Sequence, residues 1–341
     1  MKKKIAIVTG ASGQDGAYLI ELLLKKKYKV IAALRRNSNI NTSRLNSLGL
    51  DQISSNFSKA EIELTEFTNC AKLISDLKPD EFYNLAAQSF VKTSFTQPIF
   101  TTHVNSLGVL NCLESIKNFS PKTKFYQAST SEMYGDTSKK KLNENSLFDP
   151  VSPYAISKLY SFHMTKLYRD AYKLYCVNGI LFNHESPFRG QEFVTQKIVT
   201  GLEKIKKNKQ KYLLLGNLDS QRDWGHAKDY VKAMWLMLQQ KLPTDYVVST
   251  GKSYSIRNFV IKTGKYLGIE IAWSGSGLSE IGYDIKSGKT IIKINKQFYR
   301  PSEVNFLNGD SSKARKFLNW KPEYNIDSLI KDMCDAVLNK L

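Results

Sequence analysis

Three observations predict an α/β protein built on a doubly wound parallel sheet, followed by a smaller α/β domain. Short β-branched runs alternate with helix-length amphipathic stretches through the first half; a glycine-rich turn follows the first run; and the alternation stops near Asn183. Strands alternating with helices imply βαβ units, whose right-handed crossovers place helices on both faces of a parallel sheet. The 341 residues suit one large unit or two closely joined ones, at roughly 100–200 residues per domain.

Taken in order, the expected strands are Ile5–Thr9, Val30–Leu34, Ile62–Leu64, Glu81–Leu85, Lys124–Ala128 and Tyr175–Leu181. The first follows Lys2–Lys4 in the manner of a secretion signal. Its apolar run is too short for one and enters the glycine turn directly, so it is read as a strand. Beyond Asn183 the sequence predicts helices at Phe193–Lys207, His226–Gln239 and Ser255–Leu267, with a short strand at Tyr212–Leu215. A Gly/Ser loop at Ser274–Gly277 precedes a polar stretch of little periodicity, and helices at Ser311–Leu318 and Ile326–Leu341 close the chain.

Composition excludes several classes. Lys+Arg 50 against Asp+Glu 31 gives a formal charge of +19, but the lysines fall in short runs (Lys25–Lys27, Lys139–Lys141, Lys206–Lys211) with no arginine-rich array beside them. That pattern is a solvated surface, and no nucleic-acid partner is expected. Cys70, Cys112, Cys176 and Cys334 are far apart, which argues against a disulfide framework or zinc ribbon and fits a reducing compartment. His103, His163, His184 and His226 lack chelating spacing, so no metal site is expected. No apolar run approaches the roughly 18–20 residues of a membrane span, and the expectation is a soluble cytoplasmic protein without a membrane partner.

Because ligands of such sheets sit at the carboxyl ends of the strands, the chemistry is sought just past each run. The first run ends in Thr9-Gly10-Ala11-Ser12-Gly13-Gln14-Asp15-Gly16. Glycines at 10, 13 and 16 let the backbone turn tightly and approach a pyrophosphate seated on the next helix N-terminus, the arrangement of a Rossmann-type domain. The second run ends in Arg35-Arg36-Asn37-Ser38, where NAD binders place an acid. Two guanidinium groups attract a 2′-phosphate, which favours NADP; the alternative is a pair of exposed surface arginines.

Ser152 reads as an N-cap and Pro153 as the first helical residue, which puts Tyr154 and Lys158 four apart on one face. A nearby ammonium is expected to lower the phenol's pKa toward neutrality and make it a general base. Upstream, the fifth run ends in Ser129-Thr130-Ser131-Glu132. The Thr130 hydroxyl can bind the substrate hydroxyl being oxidised. Glu132 is unnecessary for hydride transfer alone, but a carboxylate beside a new ketone can remove the acidified neighbouring proton and protonate a leaving hydroxyl, as a dehydratase requires.

On these motifs the chain resembles the extended short-chain dehydrogenase/reductases, and within them the GDP-mannose 4,6-dehydratases. The resemblance runs nearly end to end, through Asn84–Ser89, Ser152–Tyr160, Gly179–Pro187, Phe193–Ile198, Leu215–Asp219, Arg222–Tyr230 and Tyr299–Val304. It implies Thr130, Glu132, Tyr154 and Lys158 as the catalytic set. It implies an NADP site lined by Gly10, Ser12, Gly13, Gln14, Asp15, Arg35, Arg36, Asn37, Ser38, Glu63 and Leu64, with Leu85, Ala86, Ala87, Gln88, Ser89, Phe100, Tyr154, Lys158, His184 and Arg189. The GDP-sugar would be held by Ser89, Asn183, Val194, Lys197, Gly216, Arg222, Arg300 and Glu303, and a diphosphate does need cations such as Lys197, Arg222 and Arg300. Arg44 falls in a loop that in family members joins cofactor sites between subunits, which implies a homotetramer. Residues 1–182, with a return segment at about 222–251, would form the NADP-binding domain, and 183–221 with 252–341 the nucleotide-sugar domain.

Two positions depart from the family pattern. Phe90 stands where histidine is usual and Phe188 where arginine is usual, both beside segments expected near the sugar and nicotinamide. The resemblance therefore implies GDP-D-mannose or its relative GDP-D-glycero-D-manno-heptose as the expected substrate. The expected reaction oxidises C4, eliminates water across C5 and C6, and reduces C6 with the same NADP. An epimerase or simple sugar dehydrogenase on the same scaffold, and a catalytically silent NADP-binding scaffold, are the competing readings.

Overall fold

The runs Ile5–Thr9 and Lys29–Leu34 are buried at nearly every position, as strands covered by helices on both faces must be. A computed structural model describes residues 3–36, 42–50, 54–137, 140–299 and 302–339. Strands β1 (Ile5–Thr9), β2 (Lys29–Leu34), β3 (Phe57–Glu61), β4 (Glu81–Asn84), β5 (Lys124–Thr130) and β6 (Cys176–Leu181) pair in parallel. Between them run α1 (Gln14–Lys25), α2 (Ser43–Ser47), α3 (Phe67–Leu77), α4 (Val91–Thr96), α5 (Pro98–Thr102), α6 (Gly108–Phe119) and α7 (Pro153–Tyr172). A π-helical turn, His103–Leu107, joins α5 to α6, and a 3₁₀ turn, Ser131–Tyr134, follows β5.

The remainder comprises β7 (His184–Glu185), α8 (Val194–Lys206), β8 (Leu213–Leu215), β9 (Gln221–Asp223), β10 (Gly225–His226) and α9 (Ala227–Leu238). Then come β11 (Tyr246–Val248), β12 (Ser253–Ser255), α10 (Ile256–Leu267), β13 (Ile271–Ser274), β14 (Ile281–Asp284), β15 (Thr290–Ile294), α11 (Ser312–Leu318) and α12 (Ile326–Leu338). β11 returns to pair with β6, giving a seven-stranded parallel sheet of order β11-β6-β5-β4-β1-β2-β3.

The two-residue period of the strands sorts the core into two layers. Ala6 and Val8 pack with α1, α9 and α11, whereas Ile7 between them packs with α3 and α6. A separate core joins α8, α10 and α12 to the four-stranded sheet β13-β14-β15-β8.

Two expectations are corrected. The third strand is Phe57–Glu61, in register with Val30–Leu34, and Ile62–Leu64 is the loop that follows it. As an edge strand it is only partly buried, so its sequence shows no apolar run. The polar stretch after Gly277 forms β14 and β15, whose alternation is obscured by the register shift between Gly282 and Tyr283. No helix among the described residues is long and apolar enough to cross a membrane.

Candidate active site

A cleft opens over the carboxyl ends of β1, β4, β5 and β6. Gly10 ends β1 in the left-handed region at φ +63°, and an added Cβ would lie 2.8 Å from the Ala86 backbone nitrogen. Only glycine lets the two loops approach so closely. Gly13 is the N-cap of α1 and brings no side-chain cap, which leaves the first-turn N–H groups facing the cleft for an anion. The buried Thr9 hydroxyl donates to Asn84 Oδ1 at 2.7 Å and accepts from the N–H groups of Leu85 and Ala86, both at 3.1 Å, fixing the loop after β4.

Ser152 caps α7 as expected, accepting from the Ala155 N–H at 3.1 Å, with Pro153 in the first turn. Tyr154 and Lys158 therefore lie one turn apart and both line the cleft, together with Thr130 and Glu132. Thr130 Oγ1 accepts from the Glu132 N–H at 3.2 Å and is also hydrogen-bonded to Tyr154. Lys158 Nζ donates to the Ala128 carbonyl at 2.8 Å. The expected lowering of the phenol's pKa is not what the chain alone produces. Burial pushes Tyr154 up to about 12, with the Thr130 hydrogen bond pulling the other way. Burial also pulls Lys158 down to about 8. Lys158 is directed at a backbone carbonyl, so desolvation outweighs its help to the phenolate.

Asn105, on the π-helical turn, braces these elements. Its side chain accepts from the Gln88 N–H at 2.9 Å and donates to the Gln88 carbonyl at 3.0 Å and to Ser157 Oγ, on α7, at 3.2 Å. The sequence reading missed it, because an unwound turn leaves no signal in apolar spacing.

At the opposite wall, His184 Nε2 meets Asp15 Oδ2 at 2.8 Å and its Nδ1 pairs with the Phe182 carbonyl at 2.8 Å. Arg189 pairs with Glu185 at 3.0 Å and packs its guanidinium 3.5 Å from the centre of the Phe193 ring.

Of the residues expected at the cofactor, Gly10, Gly13, Gln14, Asp15, Leu85, Ala87 and Ser89 line this cleft of about 240 Å³, as do Tyr154, Lys158, His184 and Arg189. Ser12, Ala86, Gln88 and Phe100 do not. Arg35, Arg36, Glu63 and Leu64 also lie outside it: they follow β2 and β3, which extend the sheet beyond β1, away from the enclosed part. Arg35 and Arg36 are exposed. Asn37, Ser38 and Arg300 fall outside the described residues. Arg44 donates to the Phe188 carbonyl at 2.7 Å and the Ser12 carbonyl at 3.0 Å.

A second chamber of about 550 Å³ adjoins the cleft, and Phe90, Asn183, Arg189 and Phe193 line both. Asn183, Val194, Lys197, Gly216, Arg222 and Glu303, all expected at the sugar nucleotide, converge on it. Lys92 and Phe298 line it too, and sequence reasoning missed both; Phe298 lies in the stretch without periodicity. Phe90 meets Phe193 edge-on at 5.6 Å. Phe188, expected near the sugar, instead stacks on Tyr18 at 4.8 Å, because an apolar ring at this position joins the core around α1. A hollow of about 890 Å³ lies elsewhere among Lys206, Lys209, Lys211, Lys289 and Lys293 and includes none of the catalytic candidates.

A family model described as GDP-mannose 4,6 dehydratase matches residues 7–333. A GDP-mannose 4,6 dehydratase of Drosophila melanogaster is 45% identical over 340 residues, covering 98% of this chain and 86% of the relative. One from Vibrio cholerae is 45% identical over 354 residues, covering 100% and 95%. Among solved structures, a dTDP-glucose 4,6-dehydratase from Bacillus anthracis in complex with NAD superposes with a TM-score of 0.82 at 20% identity, covering 99% of this chain and 97% of that one. At that identity the likeness is one of fold.

Proposed function

Because the chain belongs to the GDP-mannose 4,6-dehydratase family, we propose that it is an NADP-dependent lyase that removes water from a GDP-sugar, GDP-D-mannose or GDP-D-glycero-D-manno-heptose, to give the GDP-4-keto-6-deoxy product. One observation carries the reading: Thr130, Glu132, Tyr154 and Lys158 line a single cleft that is continuous with a cation-lined chamber.

The cleft fits the cofactor. Its floor is the close approach of Gly10 to Ala86, and the uncapped N-terminus of α1 faces it. Arg35 and Arg36 follow β2 with no carboxylate beside them, which suits the 2′-phosphate of NADP better than the free hydroxyl of NAD. Residues 1–182 with the return segment at about 222–251 are the cofactor-binding domain in this reading, and 183–221 with 252–341 the sugar-nucleotide domain. When bound, NADP supplies the two-electron chemistry, taking a hydride from sugar C4 and returning one to C6.

The chain's own residues handle the protons. Tyr154 accepts the C4 hydroxyl proton as the phenolate, a form that its hydrogen bond with Thr130 favours against burial, with Lys158 one turn away as the nearby cation. Thr130 holds the same hydroxyl. Glu132, beyond Thr130 on the 3₁₀ turn, takes the C5 proton made acidic by the C4 ketone and passes it to the C6 hydroxyl, which departs as water as the C5–C6 double bond forms. C5 regains a proton when C6 is reduced, balancing the one Tyr154 took from the C4 hydroxyl. The diphosphate lies in the chamber against Lys197 and Arg222.

The same reading includes a cytoplasmic homotetramer. Exposed apolar side chains support self-association: Ile99 on α5, Leu107 on the π turn, and Ile156 and Leu167 on α7. Such side chains gathered on neighbouring helices mark an interaction face.

The test is mass spectrometry of the protein with GDP-mannose and, separately, GDP-manno-heptose, without added reductant. Loss of one water from either sugar supports the reading and identifies the substrate. Stoichiometric release of NADPH would replace it with a simple dehydrogenase, and no turnover of either sugar would overturn it.

A further inference from the structure

Two ammonium groups from distant parts of the chain meet at one ring beside the larger chamber. Lys197, on α8, places Nζ 3.2 Å from the Phe298 ring centre, and Lys92, on α4, places Nζ 5.8 Å from the same centre. Lys92 also donates a 2.6 Å hydrogen bond to the Gln297 carbonyl, 205 residues away in sequence. The 3₁₀ turn Lys296–Phe298 thus bridges the two sides of the chamber. It has little room to shift: an added Cβ at Gly216 would lie 2.7 Å from the Phe298 carbonyl oxygen.

The charges around this pair do not cancel. Burial pulls Lys197 down to about 8, and the Lys92 charge adds to that pull. Of the three described carboxylates lining the same chamber two have partners of their own, and the third, Glu192, acts electrostatically on Arg44. Glu185 pairs with Arg189 at 3.0 Å and accepts from the Thr195 hydroxyl at 2.6 Å, and Glu303 faces Arg222 at 3.6 Å. Two like charges held together in a partly desolvated place are unfavourable until an anion joins them. An ammonium has three donors, and Lys92 spends one on Gln297, so it can keep the bridge and bind an anion as well.

We infer that Lys92 is a further binding residue for the substrate's diphosphate, closing on it from the side of the chamber opposite Lys197. The inference rests on the chamber being a GDP-sugar site. It also gives the Lys92–Gln297 bond a purpose, since a diphosphate held by both lysines draws the Lys296–Phe298 turn and α4 together.

The experiment is calorimetric titration of the NADP-loaded protein with GDP and with GMP, for the wild type, Lys92→Met and Lys92→Arg. The expected result is that Lys92→Met weakens GDP binding by about 10–100-fold, the range for a lost charge-assisted hydrogen bond, while GMP binding and the melting temperature change little. Lys92→Arg should recover most of the loss. Equal weakening of GDP and GMP would make Lys92 a structural strap and overturn the inference, as would unchanged GDP binding. A wild type that binds neither nucleotide would instead overturn the GDP-sugar reading of the chamber.

Discussion

His184 Nε2 and Asp15 Oδ2 lie 2.8 Å apart, joining β7 to the first turn of α1 across the wall of the cleft. Burial alone would raise the Asp15 pKa, but the His184 charge and hydrogen bond, with Arg189 behind them, hold it below its ordinary 3.8. Burial alone would lower His184, but Asp15 and the Phe182 carbonyl hold it above its ordinary 6.5. The Asp15 contribution to stability is present above the unfolded carboxyl's pKa and is lost as pH falls through the lower folded value. The His184 contribution is present below the unfolded imidazole's pKa and is lost as pH rises through the higher folded value. The pair therefore stabilises most between about pH 4 and 6.5, the two unfolded values. Melting temperature measured against pH should show this window, and Asp15→Asn should remove it at a cost of about 2 kcal/mol. An identical pH profile in the variant would show that the pair contributes nothing.

Glu132 and Tyr154 share a cleft but are assigned different protons, so their variants should fail differently. Glu132→Gln keeps the shape and loses the base, and turnover should fall by about 10²–10⁴-fold with GDP binding intact. Tyr154→Phe should abolish turnover at the first step. The check is product mass together with calorimetric GDP affinity. Normal water loss by Glu132→Gln would remove that residue from the mechanism.

Asn105 lines neither the cleft nor the chamber, yet it holds Gln88, on the loop after β4, to Ser157, beside Lys158 on α7. Asn105→Ala leaves the part-buried N–H and carbonyl of Gln88 without this partner, costing about 1 kcal/mol. Turnover should fall more than GDP affinity does, since the change loosens α7 and not the chamber. A thermal melt and a split of kcat from KM test this.

The parallel sheet and the catalytic cluster were legible because their signals are local. Glycine spacing, a serine cap followed by proline, and residues one helical turn apart are written in consecutive positions. Strand β3 was misplaced because an edge strand half in solvent carries a weak pattern. Lys92, Phe298 and Asn105 were missed because they act through contacts between segments far apart in sequence. The phenol's pKa was misjudged for a related reason. The Tyr154–Lys158 spacing shows that the two groups are neighbours, but not that burial outweighs the ammonium's effect.

The proposed choice between the two sugars is tested at the two unusual phenylalanines. Phe90 lines both the cleft and the chamber and meets Phe193 edge-on, so on the proposed reading it faces the passage that would hold the sugar. Phe188 stacks on Tyr18 away from both. The two sugars differ by one hydroxymethyl group at C6, and a difference of that size in an apolar pocket is worth about 10–200-fold in kcat/KM. Phe90→His should therefore shift the ratio of kcat/KM for GDP-mannose over GDP-manno-heptose toward mannose by an amount in that range. Phe188→Leu should lower the melting temperature through lost stacking and leave the ratio where it was. Competition between the two sugars in one reaction, read by product mass, measures the ratio directly. A shift caused by Phe188→Leu and not by Phe90→His would mean that the sugar is selected through the packing of α1, not at the junction between cleft and chamber.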